Sequence, residues 1–340
     1  MKGRQIVLDH IDGREAAALM VDGKLDDILV DGDAPRPGTI YRAIADRPVK
    51  GQGGMFLKTP DGNVFLRQVK GLAPGDTMLV QVTGLAEPGK AIPVTQKVLF
   101  KSRYAIVTPD APGINVSRSI RDDDVRDAIL AIAHDVAGEA GMGLILRSAC
   151  EGVEPEEIAE DITAMLDLAE QVRRDSEGPA EKLIDGDGPH VTAWRDWSDP
   201  AEVVTEAGSF ETHGVLDALE DARGDQVALD GGASMFVEPT RALVAVDVNT
   251  GGDTSPAAGT RANFAAARML PRALRVRGLG GQVVLDLAPM SKKERRGFES
   301  ALRGAFRSDT IDTTLVGWTP LGHYELQRKR ARAPLAEVLK

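Results

Sequence analysis

Two short apolar runs each lead to an acid, and their spacing is what a two-carboxylate chemistry needs. The first is Ala242-Leu243-Val244-Ala245-Val246-Asp247-Val248-Asn249-Thr250-Gly251-Gly252. Residues two apart on a strand point the same way, so Asp247 and Asn249 share a face. The second, Gly280-Gly281-Gln282-Val283-Val284-Leu285-Asp286-Leu287, starts after a Gly pair and again carries a carboxylate at the end of the run. Between them, residues 263–277 are Ala-rich and apolar at helical spacing, with an interruption at Pro271. The unit reads strand, crossover helix, strand, which predicts parallel neighbours and brings Asp247 and Asp286 to one sheet edge. Two carboxylates that close repel unless a cation or a proton lies between them, and an oxygen-rich site with an Asn amide suits Mg²⁺ or Mn²⁺. The plainer alternative is that each Asp caps a turn or a helix.

Other residues could meet phosphate or bases. Arg147 and Ser148 close a strand-like run, Gly143-Leu144-Ile145-Leu146, where a guanidinium and a hydroxyl can receive a phosphate, with Arg118 as a further cation. Against this stands an ordinary surface salt bridge. Phe56, Phe65 and Lys90 are candidates for stacking and charge in single-strand binding, the alternative being that both rings are core. The five histidines, His10, His134, His190, His213 and His323, fall in separate segments, so an imidazole acid-base pair is unsupported. No Gly-x-x-x-x-Gly-Lys-Ser/Thr loop is present to cradle a triphosphate, which argues against an NTPase. Asp185-Gly186-Asp187-Gly188 lacks the rest of a calcium loop.

The elements that must position these residues fit a chain of 340 residues with 42% hydrophobic content, long enough for two or three compact units. Net charge is -11, unfavourable for a nucleic-acid binder taken as a whole, but it is unevenly spread. From Arg268 to Lys340 there are 15 Lys and Arg against 7 Asp and Glu, so this part is +8 and the remainder -19. A single cysteine, Cys150, excludes an intramolecular disulfide or a thiolate cluster within one chain and suits a small buried hydrophobe. No stretch has the apolar length of a membrane span and the start, Met1-Lys2-Gly3-Arg4, lacks a signal-peptide core, so a cytoplasmic protein is expected.

In order, residues 4–34 predict a strand followed by a hairpin with its turn at Asp22-Gly23, which must pair with something downstream. Pro35-Arg36-Pro37-Gly38 marks a boundary. Residues 38–103 predict five short strands with Gly-rich turns, a small closed barrel of the OB type. Residues 104–174 alternate strand and helix, with helices at 122–136 and 154–174. The stretch 175–222 is least readable: 185–189 and Trp194-Arg195-Asp196-Trp197 look like loops, before a helix at 213–223 and a hairpin at 226–240.

The central motifs, Val246-Asp247-Val248-Asn249-Thr250-Gly251-Gly252, Asn263-Phe264-Ala265-Ala266 and Leu274-Arg275-Val276-Arg277-Gly278-Leu279-Gly280-Gly281-Gln282-Val283-Val284-Leu285-Asp286, resemble the catalytic core of the ribonuclease E/G family. Residues 14–31 resemble its opening hairpin, 38–103 its inserted OB-type module, 141–149 the strand of its 5′-monophosphate sensor, and 324–330 the segment that closes its catalytic domain. The resemblance implies an α/β (α+β) multidomain chain. It would hold an RNase H-like subdomain from 1–34 and 179–222, an OB-type barrel at 35–103, a sensor at 104–178 and a DNase I-like catalytic domain at 223–340. It implies a Mg²⁺-dependent endoribonuclease, with Mn²⁺ as a substitute, that cuts single-stranded RNA and leaves a 5′-phosphate in processing or decay. Asp247 and Asp286 match the metal ligands and Asn249 the residue beside them. Arg147 and Ser148 match the 5′-phosphate pair, with Ser for the usual Thr. Phe56, Phe65, Lys90, Arg118, Arg328 and Arg330 are the expected RNA contacts.

The chain also departs from the family pattern. It lacks the cysteines of the zinc-link, so no zinc and no zinc-linked dimer are expected, and the oligomeric state is open. The Asp286-Leu287-Ala288-Pro289-Met290 stretch lacks a further acid, and Ala266 replaces a usual Glu. The linker region is shorter than in the larger members, and no long disordered tail is expected. An RNA-binding protein of the same fold with lost or weak cleavage is the alternative these departures raise.

Overall fold

Asp-Gly occurs twice in the first 30 residues, at positions where both residues adopt positive φ: Asp12 and Gly13 at 51° and 76°, Asp22 and Gly23 at 48° and 74°. That pair of angles belongs to the tight hairpin turn whose twist matches the flanking strands, and it explains why the chain doubles back there. In the computed structural model, which describes residues 3–49, 53–69, 71–87, 89–138 and 141–339, the two turns join β1 (Arg4–Ile11), β2 (Arg14–Val21) and β3 (Lys24–Val30) into an antiparallel meander. Met1, Lys2 and Lys340, on which the expectations about the two ends of the chain partly rested, lie outside the described residues.

The chain divides into two units, Asp33–Pro200 and the paired segments Met1–Gly32 with Ala201–Lys340. In Asp33–Pro200 the first strands are β4 (Ile40–Val49), β5 (Gly54–Thr59), β6 (Gly62–Leu66), β7 (Thr77–Val82) and β8 (Ile92–Thr95). Their order, β4-β5-β6-β8-β7 with β7 pairing back to β4, is a closed five-stranded barrel consistent with the OB type. Closure depends on β4, which shifts register between Ala45 and Arg47 and so serves β5 along one half and β7 along the other. Inside lie Tyr41, Leu57 and Val80, each 0% exposed.

The same unit continues with β9 (Phe100–Lys101), β10 (Ala105–Thr108), β11 (Gly113–Val116), α1 (Asp123–Ala137), β12 (Gly143–Leu146) and α2 (Pro155–Arg174). The Asp122 side chain caps α1 by accepting from the amides of Asp124 and Val125 at 3.0 and 3.2 Å. The sheet order is β11-β12-β10-β9, and its inner face packs with Ile129 and Ala133 of α1 and Ile158 and Ile162 of α2. Next come β13 (Glu181–Ile184), which pairs with β4, and α3 (Pro189–Asp196). Trp194-Arg195-Asp196 is therefore the end of a helix and not a loop: Pro189 starts it, and the amide of Trp197 closes it on the Ala193 carbonyl. Arg42, 3% exposed, ties this region down by donating to Pro179 O and to the carbonyl and carboxylate of Asp175 at 2.7–2.8 Å.

The other unit resumes with β14 (Glu202–Val204), parallel to β1, which supplies the pairing the N-terminal strands needed. The stretch 179–222 is thus shared between the two units. After α4 (Ser209–Thr212) and α5 (Val215–Arg223) follow β15 (Gln226–Ala228), β16 (Ser234–Pro239), β17 (Val244–Asn249), α6 (Ala258–Val276), β18 (Gly281–Asp286), α7 (Lys292–Arg307), β19 (Thr313–Trp318), β20 (Tyr324–Arg328) and α8 (Leu335–Val338). The sheet order is β15-β16-β17-β18-β20-β19, with β17 and β18 parallel and the other pairs antiparallel. Helices α6 and α7 pack on one face. Ala262, Ala265, Ala266 and Ala273 let α6 lie close, while Phe298 of α7, 0% exposed, meets Trp318 and Tyr324 at ring separations of 6.0 and 5.9 Å. Contrary to the expected interruption, α6 runs through Pro271, which is buried. At that position the ring removes one backbone donor, and packing of the apolar face holds the helix together.

Candidate active site

The crossover places its acids as a parallel unit requires. On β17 the buried residues are Val244, Val246 and Val248, all turned to the helices, so Asp247 and Asn249 fall on the opposite, exposed face. On β18 Val283 and Leu285 are buried and Asp286 is exposed. Asp247 stands opposite Asp286 in register, across strands whose ordinary spacing is about 4.8 Å. Asn249 Nδ2 donates to Asp247 Oδ2 at 2.8 Å and holds that carboxylate in one orientation.

The row extends to a third strand. Antiparallel pairing of β18 with β20 sets Leu285 against Tyr324, and one step further along the same register Asp286 meets His323. His323 Nδ1 lies 3.3 Å from Asp286 Oδ1, with the imidazole 36% and the carboxylate 67% exposed. Sequence reasoning passed over His323, because the pairing that brings it here joins segments 37 positions apart and leaves no periodic signature.

The loops leaving both strands are fixed. Asn263, 0% exposed on α6, donates from Nδ2 to Ala288 O at 2.8 Å and accepts from Ala288 N at 3.1 Å, clamping the chain just after Asp286. Beyond Asn249, Asp253 accepts from Ser255 N at 2.9 Å and from the Arg261 guanidinium, and these bonds lower its carboxyl to about 2. Among the described residues no three His, Cys, Asp or Glu side chains gather into a metal cage. The donor set is two exposed carboxylates in register. This fits a hard divalent ion of the Mg²⁺ kind, which takes one or two carboxylates and keeps several waters.

In the barrel, Phe56 and Phe65 are not core. Met55, Leu57, Val64 and Leu66 point inward, and the two rings, paired across β5 and β6 with centroids 5.3 Å apart, lie half-buried on the outer side. Arg47, which sequence reasoning missed, stands opposite Phe56 on β4 with its guanidinium 5.2 Å from the ring centroid. Gly54 makes room: a Cβ there would come within 2.3 Å of the Phe65 ring. Lys90, in the β7–β8 connection, pairs with Glu87 at 2.6 Å and is 66% exposed. Arg118 is exposed in the loop after β11.

Two of the expected contact residues are engaged within the fold. The Arg147 side chain is only 18% exposed and is engaged: Nη1 donates to Ser102 O at 2.6 Å and Arg195 O at 3.0 Å, and Nη2 to Asp196 Oδ1 at 2.9 Å. Burial alone would raise the Asp196 carboxyl, but Arg195, Lys101 and Arg147 outweigh it and hold the group well below the usual carboxylate range. An anion approaching Arg147 meets Asp196 already there; Ser148 is exposed beside it, at the start of a short 3-10 turn. Arg328, expected to contact RNA, is 1% exposed and tied to Asp309 and, at 2.9 Å, to Thr313 Oγ1. It is a core strut because β20 alternates, placing Tyr324, Leu326 and Arg328 inward. Arg330 is half-buried, its guanidinium against Gly281.

Comparison with known proteins follows the same residues. A family model described as the Ribonuclease E/G family matches residues 100–204 and 195–331. The chain is 25% identical to Ribonuclease E of Nostoc sp., over 98% of this chain and 57% of the relative. It is 27% identical to Ribonuclease G of Salmonella typhimurium, over 78% of this chain and 62% of the relative. With Ribonuclease G of Haemophilus influenzae it shares 26% identity over 100% of this chain and 82% of the relative. The chain thus spans about three fifths of the length of the first two.

Proposed function

The chain belongs to the ribonuclease E/G family, and from that premise we propose that it is a metal-dependent endoribonuclease cutting single-stranded RNA in cytoplasmic processing or decay. The observation that carries this reading is the register of Asp247 opposite Asp286 on the open face of the sheet. Asp247 and Asp286 would hold Mg²⁺ or Mn²⁺, which when bound supplies Lewis acidity toward a phosphodiester and favours ionisation of a water at neutral pH. The residues of the chain do the positioning. Asn249 fixes the Asp247 carboxylate, Asn263 fixes the loop after Asp286, and His323 borders Asp286 on its far side. Water attacks the phosphorus and the upstream 3′-oxygen leaves and takes up a proton, so the P–O3′ bond breaks and the phosphate stays on the 5′ end of the downstream product.

The half-buried Phe56 and Phe65 rings with Arg47 support RNA binding on the barrel by stacking beside charge. The six-stranded sheet with α6 and α7 is read as the DNase I-like catalytic part, and the meander β1–β3 with β14, α4 and α5 as the RNase H-like part. A sensor role for the sheet β9–β12 requires a terminal phosphate to compete with Asp196 for Arg147.

The test is cleavage of a short single-stranded RNA with Mg²⁺, beside Asp247→Asn and Asp286→Asn and an EDTA control. Cutting that needs the metal and both acids, by variants that keep the wild-type fold, is the expected result, with loss of at least a thousandfold in rate. A folded wild-type protein that binds RNA and never cuts it would leave an RNA-binding protein of this fold.

A further inference from the structure

Trp194 is a large aromatic residue left 53% exposed, and it belongs to none of the apolar clusters of its unit. It stands in the last turn of α3, three residues after Val191, which is 54% exposed on the same side of the helix. Arg103 stacks on the indole with its guanidinium carbon 4.0 Å from the ring centroid and donates to the Trp194 carbonyl, so the pair is fixed in place. Arg147 locks the two segments together, with Nη1 donating to Ser102 O and Arg103 O on one side and Arg195 O on the other. Lys101 and Arg195 reach the same Asp196 carboxylate at 3.1 and 2.8 Å. Four cations, Lys101, Arg103, Arg147 and Arg195, thus face two acids, Asp187 and Asp196, in a chain whose net charge is -11.

More than half of the indole stays in water, and its ring stacks on the Arg103 guanidinium. Its chemistry suits an unpaired base, whose π-face stacks on an aromatic ring whatever the sequence, beside cations that receive the neighbouring phosphates. The outer face of the barrel carries the same combination in Arg47 and Phe56. We propose that Trp194, backed by Arg103, is a stacking platform for a base of single-stranded RNA, with the more exposed Lys101 toward a flanking phosphate and Arg195, held by Asp187 and Asp196, fixing the end of α3; this rests on the reading of the chain as a ribonuclease. Arg147 is then a positioning residue that assembles the platform.

The test measures the affinity of the full chain for a short unstructured RNA, in EDTA to prevent cutting, for wild type, Trp194→Ala and Trp194→Phe. The expected result is about a tenfold weakening for Trp194→Ala and recovery of most of it by Trp194→Phe, with circular dichroism unchanged in both. RNA is also expected to quench indole fluorescence in the wild type and less in Trp194→Phe. Equal affinity of wild type and Trp194→Ala overturns the platform and leaves the ribonuclease reading standing. A wild-type chain that binds no RNA overturns both.

Discussion

Asp286 ends its strand between two different neighbours, a second carboxylate on β17 and an imidazole on the turn before β20. The first supports the proposed use of the pair as a cation site. The second limits where the Asp286 carboxylate can turn. Outer partners that orient a ligand typically carry one to two orders of magnitude in activity, so His323→Ala is expected to lower kcat about tenfold with KM little changed, as read by steady-state cleavage of a labelled RNA. Asp196 offers a test by pH. Its carboxyl is held below the ordinary value, so the folded state binds fewer protons there than the unfolded one. The stability it adds is therefore present above about pH 4 and is lost as the pH falls through the depressed value. Asp196→Asn is expected to cost about 2–3 kcal/mol at neutral pH and to flatten that acid limb, as followed by thermal melts across pH. At this scale the acids were legible in the sequence, because a β-branched run ending in Asp is a local signal. His323, Arg47 and the capture of Arg147 by Asp196 were not, since each depends on which strand or helix lies alongside.

Among elements, β20 shows how alternation decides a residue's fate. Arg328 falls on the inward side, and with Arg275 it shares the Asp309 carboxylate, itself 0% exposed, while Arg275 also binds Asp26 at 2.8 Å. Removing the shared acid leaves the buried Arg328 guanidinium uncompensated and Arg275 with Asp26 and Asp27 alone. Asp309→Ala is expected to destabilise the protein by about 3–5 kcal/mol, measured by urea unfolding. The basic count of residues 268–340 therefore overstated the charge available to RNA, because several of those cations are spent inside. The longer elements could be read in advance: the Asp22-Gly23 hairpin, the amphipathic α1 and the strand, helix, strand crossover all carry periodic or turn chemistry over many residues. Some of the short ones could not. Strands β9, β11, β13 and β14 are two to four residues long, and α3 opens from Gly-Asp-Gly-Pro, a composition shared with loops.

At the scale of the whole molecule, each unit has its own buried clusters, and Asp33–Pro200 is a single uninterrupted stretch of chain. A fragment of residues 33–200 is expected to melt cooperatively by itself and to bind single-stranded RNA without cutting it, as read by calorimetry and fluorescence anisotropy. The other unit is assembled from two stretches distant in the chain: its N-terminal meander joins the rest through β1 with β14, through a shared apolar cluster with Phe210, Val215 and Val276, and through Arg275 on Asp26 and Arg332 on Asp27. On a ribosome adding roughly 5–20 residues per second, β1 emerges on the order of ten to forty seconds before β14 exists. During that interval the whole of Asp33–Pro200 is made and can close its barrel, while the edge of β1 waits without its neighbour. The order of synthesis thus separates the two tasks in time. The part that carries the Phe56 and Phe65 rings folds first, and the part that carries the acids is completed only when nearly the entire chain has left the tunnel.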